Sequence, residues 1–128
     1  MMKSLAETFT ASVDGLLQRL PGPVTAKWPG GERFVRAMAH GSMSVELYAP
    51  VDTDPQMPHE QDELYFVHAG TGVFVLGGER HAFGPGTCFF VPAGIEHRFV
   101  EFSADFVAWV VFWGPAGGEG AGAAEAVG

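Results

Sequence analysis

From Val24 to Trp113 the chain shows no apolar stripe of helical spacing. In its place come short apolar or alternating runs: Arg33–Ala39, Met43–Ala49, Glu63–His68, Gly72–Leu76, Thr87–Val91, His97–Phe102 and Phe106–Trp113. Turn formers divide them, among them Pro29-Gly30-Gly31, His40-Gly41-Ser42, Gly70-Thr71-Gly72, Gly77-Gly78, Gly84-Pro85-Gly86, Pro92-Ala93-Gly94 and Ser103-Ala104-Asp105. A polar-apolar period of two, broken every few residues by glycine or proline, suits strands and excludes a helix bundle. Seven or more such runs at near-regular spacing predict an all-β antiparallel sandwich or barrel. The 18 glycines and 9 prolines supply the turns that so many short strands need.

One segment departs from this pattern. Leu5, Phe9, Val13, Leu16, Leu17 and Leu20 recur at spacings of three and four, which predicts an amphipathic helix packed on the domain. Ser4 and Glu7 form a capping box at its start, and Pro21-Gly22-Pro23 ends it. The expected organisation is a helix and linker over 1–23, a β-barrel over 24–113, and a Gly/Ala-rich tail over 114–128. That tail has one large apolar residue, Val127, and is expected to be disordered because it cannot offset the entropy of ordering. At 128 residues the whole is a single domain, burying roughly two-thirds of its unfolded surface.

Charge narrows the partners. A formal net charge of −8 opposes binding to nucleic acid or to anionic lipid. Residues 5–17 are interrupted by Glu7, Thr8, Thr10, Ser12 and Asp14, so they read as neither signal peptide nor membrane span. Cys88 is the single cysteine, which rules out an internal disulfide and suits a reducing compartment. Within Thr87–Val91 it is expected to act as a small buried hydrophobe. A cytoplasmic location follows as an expectation.

The chemistry concentrates in 58–70, PHEQDELYFVHAG, where metal-grade side chains run directly into an apolar strand. In an extended chain Met57, His59, Gln61 and Glu63 share one face. Further on, Gly86 is followed after five residues by Pro92-Ala93-Gly94, then after two by His97, and after three more by Glu101. These spacings resemble the two motifs of the cupins, with His59, Glu63 and Gly70 fitting the first. Two departures stand out: Met57 occupies the place of the first motif's leading histidine, and Glu101 replaces a terminal asparagine. In another register His59 would lead and Gln61 would take the second histidine's place, but the carboxylate spacing then fails.

The resemblance implies an antiparallel jelly-roll barrel, a double-stranded β-helix, in which His59, Glu63 and His97 converge on a divalent metal. Two imidazoles and a carboxylate suit Fe(II) with open positions, the first expectation, while Zn, Mn, Ni or Cu remain possible. Gln61 is the candidate fourth ligand or water-orienting group, ahead of Met57, and Tyr65 offers a phenol for hydrogen bonding. Tyr65, Val67 and Phe99 are expected to face inward, with Trp109, Val111 and Trp113 or the alternate set closing the far wall. His68 should face away from the interior. His81 and His40 sit near turns and are given no chemistry. The leading expectation is a dioxygenase-like oxidoreductase acting on a small organic substrate. The alternatives are a non-catalytic ligand-binding or sensing barrel and a metal-dependent isomerase or lyase. A homodimer is expected, since exposed sheet edges need covering.

Overall fold

A computed structural model describes residues 9–120. Eight strands appear: β1 (Phe34–His40), β2 (Met43–Tyr48), β3 (Asp62–Ala69), β4 (Gly72–Leu76), β5 (Glu79–Phe83), β6 (Cys88–Val91), β7 (His97–Val100) and β8 (Val107–Trp113). They form a five-stranded antiparallel sheet, β1-β2-β8-β3-β6, and a three-stranded one, β5-β4-β7. β5 is the strand that the apolar pattern misses, because ERHAF is mostly exposed. Its turn is the reason it forms: Gly77 and Gly78 both take positive φ, 55° and 89°, the geometry that a tight hairpin requires.

Register lays the inner face of the larger sheet out in rows. Ser44, Phe112, Glu63 and Val91 lie across from one another, and the next row holds Arg36, Glu46, Val110, Tyr65 and Phe89. A third carries Phe34, Tyr48, Ala108 and Val67. Between the sheets, Tyr65, Phe74, Phe83, Phe99 and Phe106 form the aromatic core. The inward face of β8 is therefore Ala108, Val110 and Phe112, the alternate of the two sets that the sequence leaves open. His68 is exposed on the other face of β3. A bulge between Arg36 and Met38 shifts the phase of β1, so that Met38 lies opposite Val45 on the outer face and Ala39 opposite Ser44 on the inner one.

The outer face of the larger sheet is partly covered by a short helix, α1 (Val13–Leu17). Leu16 is buried against Leu47, Ala49 and Val107, with Val13, Leu17 and Leu20 alongside. The stripe is not one continuous helix, because Ser12 is extended and starts a fresh cap, its Oγ accepting from Gly15 N. Phe9 is 68% exposed and does not join the packing of Leu16. Leu5 and the capping box of Ser4 and Glu7 lie outside the described residues.

Two further expectations change. Cys88 is exposed rather than buried, since it falls on the outward phase of the edge strand β6. Residues 114–120, expected as loose tail, fold back along the loop before β3. Gly117 N donates to the Glu60 carbonyl and Glu119 N donates to Asp62 Oδ2. Gly114 N donates to Ser42 Oγ. These backbone hydrogen bonds, to Ser42, Glu60 and the buried Asp62, hold a segment that has no large apolar side chain. Residues 121–128 lie outside the described part.

Candidate metal centre

Three elements meet at one point. Glu63 comes from β3 in the larger sheet, His97 from β7 in the smaller one, and His59 from the loop that enters β3. One ligand atom from each lies within 4.8 Å of the others. Glu63 and His97 are buried, at 0% and 2% exposure, while the His59 side chain keeps 33% and opens to the outside. His59 Nδ1 lies 2.9 Å from Glu63 Oε1 in hydrogen-bonding geometry.

The protonation pattern is informative. His97 Nδ1 donates to the Ile95 carbonyl at 2.8 Å, which leaves Nε2 as the nitrogen turned toward Glu63. That Nε2 sits 2.8 Å from Glu63 Oε1 without the alignment of a hydrogen bond, and Glu63 Oε2 is also buried without a partner. With a neutral ring two lone pairs would face each other in a dry interior, a costly arrangement that a proton or a cation between them relieves. Burial pushes the Glu63 carboxyl up, but the hydrogen bond with His59 and the close approach of both imidazoles outweigh burial and the net shift is downward. Burial likewise pulls His97 down, and Glu63 with the Ile95 carbonyl and Asp54 more than reverses it. The site is thus a preformed anion with two imidazoles, a donor set that fits a divalent cation.

The triad opens on a cavity of about 590 Å³, a volume suited to a small organic molecule. Its inner wall carries Trp28, Tyr48, Gln56 and Tyr65, all buried, and His59 and Phe112 lie where it meets the triad. Its rim carries Lys27, Arg36 and Glu60, all exposed.

The Cupin domain family matches residues 44–113, more than half of the chain. The chain belongs to the cupin family. An uncharacterised protein of Streptomyces coelicolor is 39% identical over 84 residues, covering 64% of this cupin and 80% of that relative. Among solved structures, a putative mannose-6-phosphate isomerase from Ralstonia eutropha aligns with a TM-score of 0.57 at 22% identity, covering 73% of this chain and 92% of that one. The nucleoside dehydratase Pac13, from Streptomyces, aligns with a TM-score of 0.52 at 18% identity over 68% and 70% of the two chains. At such identities the likeness is one of fold.

Of the residues that the cupin motifs single out, His59, Glu63 and His97 are brought together, and Gln61 is not. β3 begins at Asp62, so Met57 to Gln61 never share the face that an extended strand would give them. Gln61 Nε2 donates to the carbonyls of Ser42 and Gly114, which commits its amide to the rim instead of the triad. Met57 is 63% exposed and leaves the site altogether. Glu101 takes a positive φ of 51°, ends β7 and pairs with Arg80 on the surface.

Tyr65 is in the site but not free. Its hydroxyl donates to Gln56 Oε1 at 2.8 Å, and burial, with the nearby Glu63 and Asp54 charges, pushes the phenol far up, so it stays protonated. Gln56 in turn donates through Nε2 to Asp54 Oδ2 at 2.6 Å. Asp54 also accepts from the Tyr48 hydroxyl, from Gln56 N and from Phe99 N. No sequence motif marks this buried network, though the pairing of Asp54 with Gln56 ahead of the first motif is an unusual polar pair to find inside a barrel.

Glu46 is the other group missed. It is two positions from Ser44 and Tyr48 on the inward phase of β2 and lines the cavity. It makes no hydrogen bond or ion pair among the described residues. Burial pushes its carboxyl up, Arg36 and His59 pull it down, Glu63 and Glu32 push it up again, and the net shift is upward.

Proposed function

We propose that this cupin is a metal-dependent enzyme that transforms a small organic molecule by proton transfer, in the manner of a lyase or isomerase. The observation that carries this reading is the uncommitted Glu46 carboxyl, which shares one cavity with His59 of the triad. His59, Glu63 and His97 would hold the metal, which supplies Lewis-acid polarisation of a substrate oxygen. Glu46, whose burial raises its affinity for a proton above that of an exposed carboxylate, takes a proton from the substrate or returns one. Tyr65, Gln56 and Asp54 keep the inner wall fixed in one hydrogen-bonded arrangement. Trp28, Phe34 and Phe112 exclude water from the bound molecule.

A second reading is a dioxygenase, favoured by the two-histidine, one-carboxylate set itself, which on Fe(II) leaves positions open for substrate and oxygen. One experiment separates the readings. The protein is loaded with Fe(II) anaerobically, or with Zn or Mn, and assayed against phenols, diketones and hydroxy acids while oxygen and product are followed together. Turnover that consumes no oxygen supports proton-transfer chemistry. Oxygen uptake with Fe(II) alone supports the dioxygenase, and a purified protein that retains no metal and turns nothing over removes both.

A further inference from the structure

The cavity of this acidic protein carries charges of both signs, with Lys27, Arg36, Glu46 and Glu60 among its lining. Fifteen Asp and Glu outnumber seven Lys and Arg along the chain, yet two of those seven, Lys27 and Arg36, line the same cavity. Neither makes an ion pair among the described residues. Arg36 stands directly opposite Glu46 in the β1–β2 register, and an ion pair between them would be the expected outcome of that position. Instead Glu46 makes none, and the Arg36 guanidinium is left with open donors. The bulge that follows Arg36 is the second observation. The register shift sets Met38 opposite Val45 on the outer face and Ala39 opposite Ser44 on the inner one, so Arg36 is the one charged residue on the inward face of β1.

We infer that the cavity takes a small organic acid, its carboxylate held by Arg36 with Lys27 nearby and its other end directed at the His59, Glu63 and His97 triad. This assignment rests on the metal-enzyme reading and names the substrate class of that site. Arg36 and Glu63 lie on strands three places apart in the sheet, β1-β2-β8-β3, which is roughly 14 Å between backbones at ordinary strand spacing. With the arginine side chain reaching inward, the remaining gap suits one ring or a short carbon chain, and Phe34, Trp28, Tyr48 and Phe112 supply an aromatic wall for it. The planar guanidinium fork matches a carboxylate with two parallel hydrogen bonds, which a lone ammonium cannot do. Glu46, beside Arg36 in the same row, then lies along the body of the bound acid, where a proton would be moved.

The test uses amide NMR titrations of the full chain, once metal-free and once Zn-loaded, with benzoate, cyclohexanecarboxylate and malonate as acids. Benzamide and inorganic phosphate serve as controls. The expected result is that at least one acid binds with shifts at cavity residues and that benzamide binds roughly tenfold or more weakly. Arg36→Gln should weaken the acid by a similar factor, as loss of a charge-assisted hydrogen bond implies. Zinc content should be the same in Arg36→Gln and the parent. Equal binding of benzoate and benzamide, no acid bound in either form, or an Arg36→Gln variant with unchanged affinity would each overturn the assignment. Phosphate binding at Arg36 in preference to every acid would also overturn it. A chain that holds no zinc but still binds acid at Arg36 would defeat the metal-enzyme reading and leave the anion site standing.

Discussion

His97 Nε2 and Glu63 Oε1 lie 2.8 Å apart although they belong to different sheets, and the other ring nitrogen, Nδ1, donates to the Ile95 carbonyl. This contact ties the two layers of the barrel together at their most buried polar point. A carboxylate left facing a bare imidazole nitrogen is a poor structural plug, because an apolar pair would fill the same space without leaving unpartnered lone pairs. The same arrangement is a good cation trap. Everything the site does follows from which positive charge, proton or metal, fills the gap.

Metal binding is therefore expected to depend on all three triad residues and on the orientation of His97. Removing even an outer-shell partner of a metal ligand typically costs 10–100-fold in affinity. His59→Ala, Glu63→Gln and His97→Ala should each exceed about 100-fold, whereas Gln61→Ala should leave affinity within a few-fold, since Gln61 is bound to the Ser42 and Gly114 carbonyls. Chelator competition on the four variants measures this. A Gln61→Ala loss as large as that of His97→Ala would return Gln61 to the ligand set.

pH should act in opposite directions on the free and loaded protein. Without metal, the lowered Glu63 carboxyl stabilises the fold above its ordinary value of 4.5 and ceases to do so as pH falls through its folded value. The raised His97 stabilises the fold below its ordinary value of 6.5, and that contribution is lost as pH rises through its folded value. Metal-free stability from this pair should thus be greatest between the two ordinary values and decline on the alkaline side. With metal bound, a cation replaces the proton on His97, so the stabilisation should grow with pH across the same range. Thermal unfolding of both forms across that range distinguishes the slopes; parallel slopes would mean that the metal does not compete with that proton.

The sequence made the sheet interior legible because alternation there is enforced by burial. Glu63, Tyr65 and Val67, and His97 with Phe99, fall on the inward phase as their spacing requires. The fixed offsets of Pro92-Ala93-Gly94 and His97 were readable for the same reason, a turn of defined length feeding a strand. The loop before β3 was not. A strand phase carried back from Glu63 to Gln61 and Met57 assumes extended backbone that begins only at Asp62, so Gln61 was placed on the wrong partner. Asp54 and Gln56 were invisible because their hydrogen bonds join residues up to 45 positions apart. Arg36 and Glu46 meet in the cavity through cross-strand register, which has no local sequence signal.

Glu46→Gln should separate chemistry from assembly. The substitution keeps shape and leaves the triad untouched, so metal content and unfolding temperature should match the parent. Turnover in whichever assay the parent supports should fall by about 10²–10⁴-fold, the usual contribution of a positioned proton-transfer group. The parent's rate should also depend on a group that titrates above the ordinary glutamate value of 4.5, and that dependence should vanish in the variant. An unchanged pH profile would assign the proton transfer elsewhere.

Asp54 is expected to be the most consequential buried residue outside the triad. It is 4% exposed and accepts from the Tyr48 hydroxyl, Gln56 N, Gln56 Nε2 and Phe99 N. These donors come from β2, the loop before β3, and β7, so one carboxylate fastens both sheets and the cavity wall. Asp54→Ala strands several buried donors at once, at about 1–3 kcal/mol for each that finds no new partner. Asp54→Asn keeps the size and two acceptor lone pairs but turns an NH2 against at least one of those donors, so a smaller loss is expected. Tyr65→Phe removes a single donor to Gln56 Oε1 and should cost about 1 kcal/mol. Urea unfolding of the three variants should rank them in that order, with Asp54→Ala the least stable; if Asp54→Ala is as stable as Tyr65→Phe, water must replace the carboxylate and the wall is not held by Asp54.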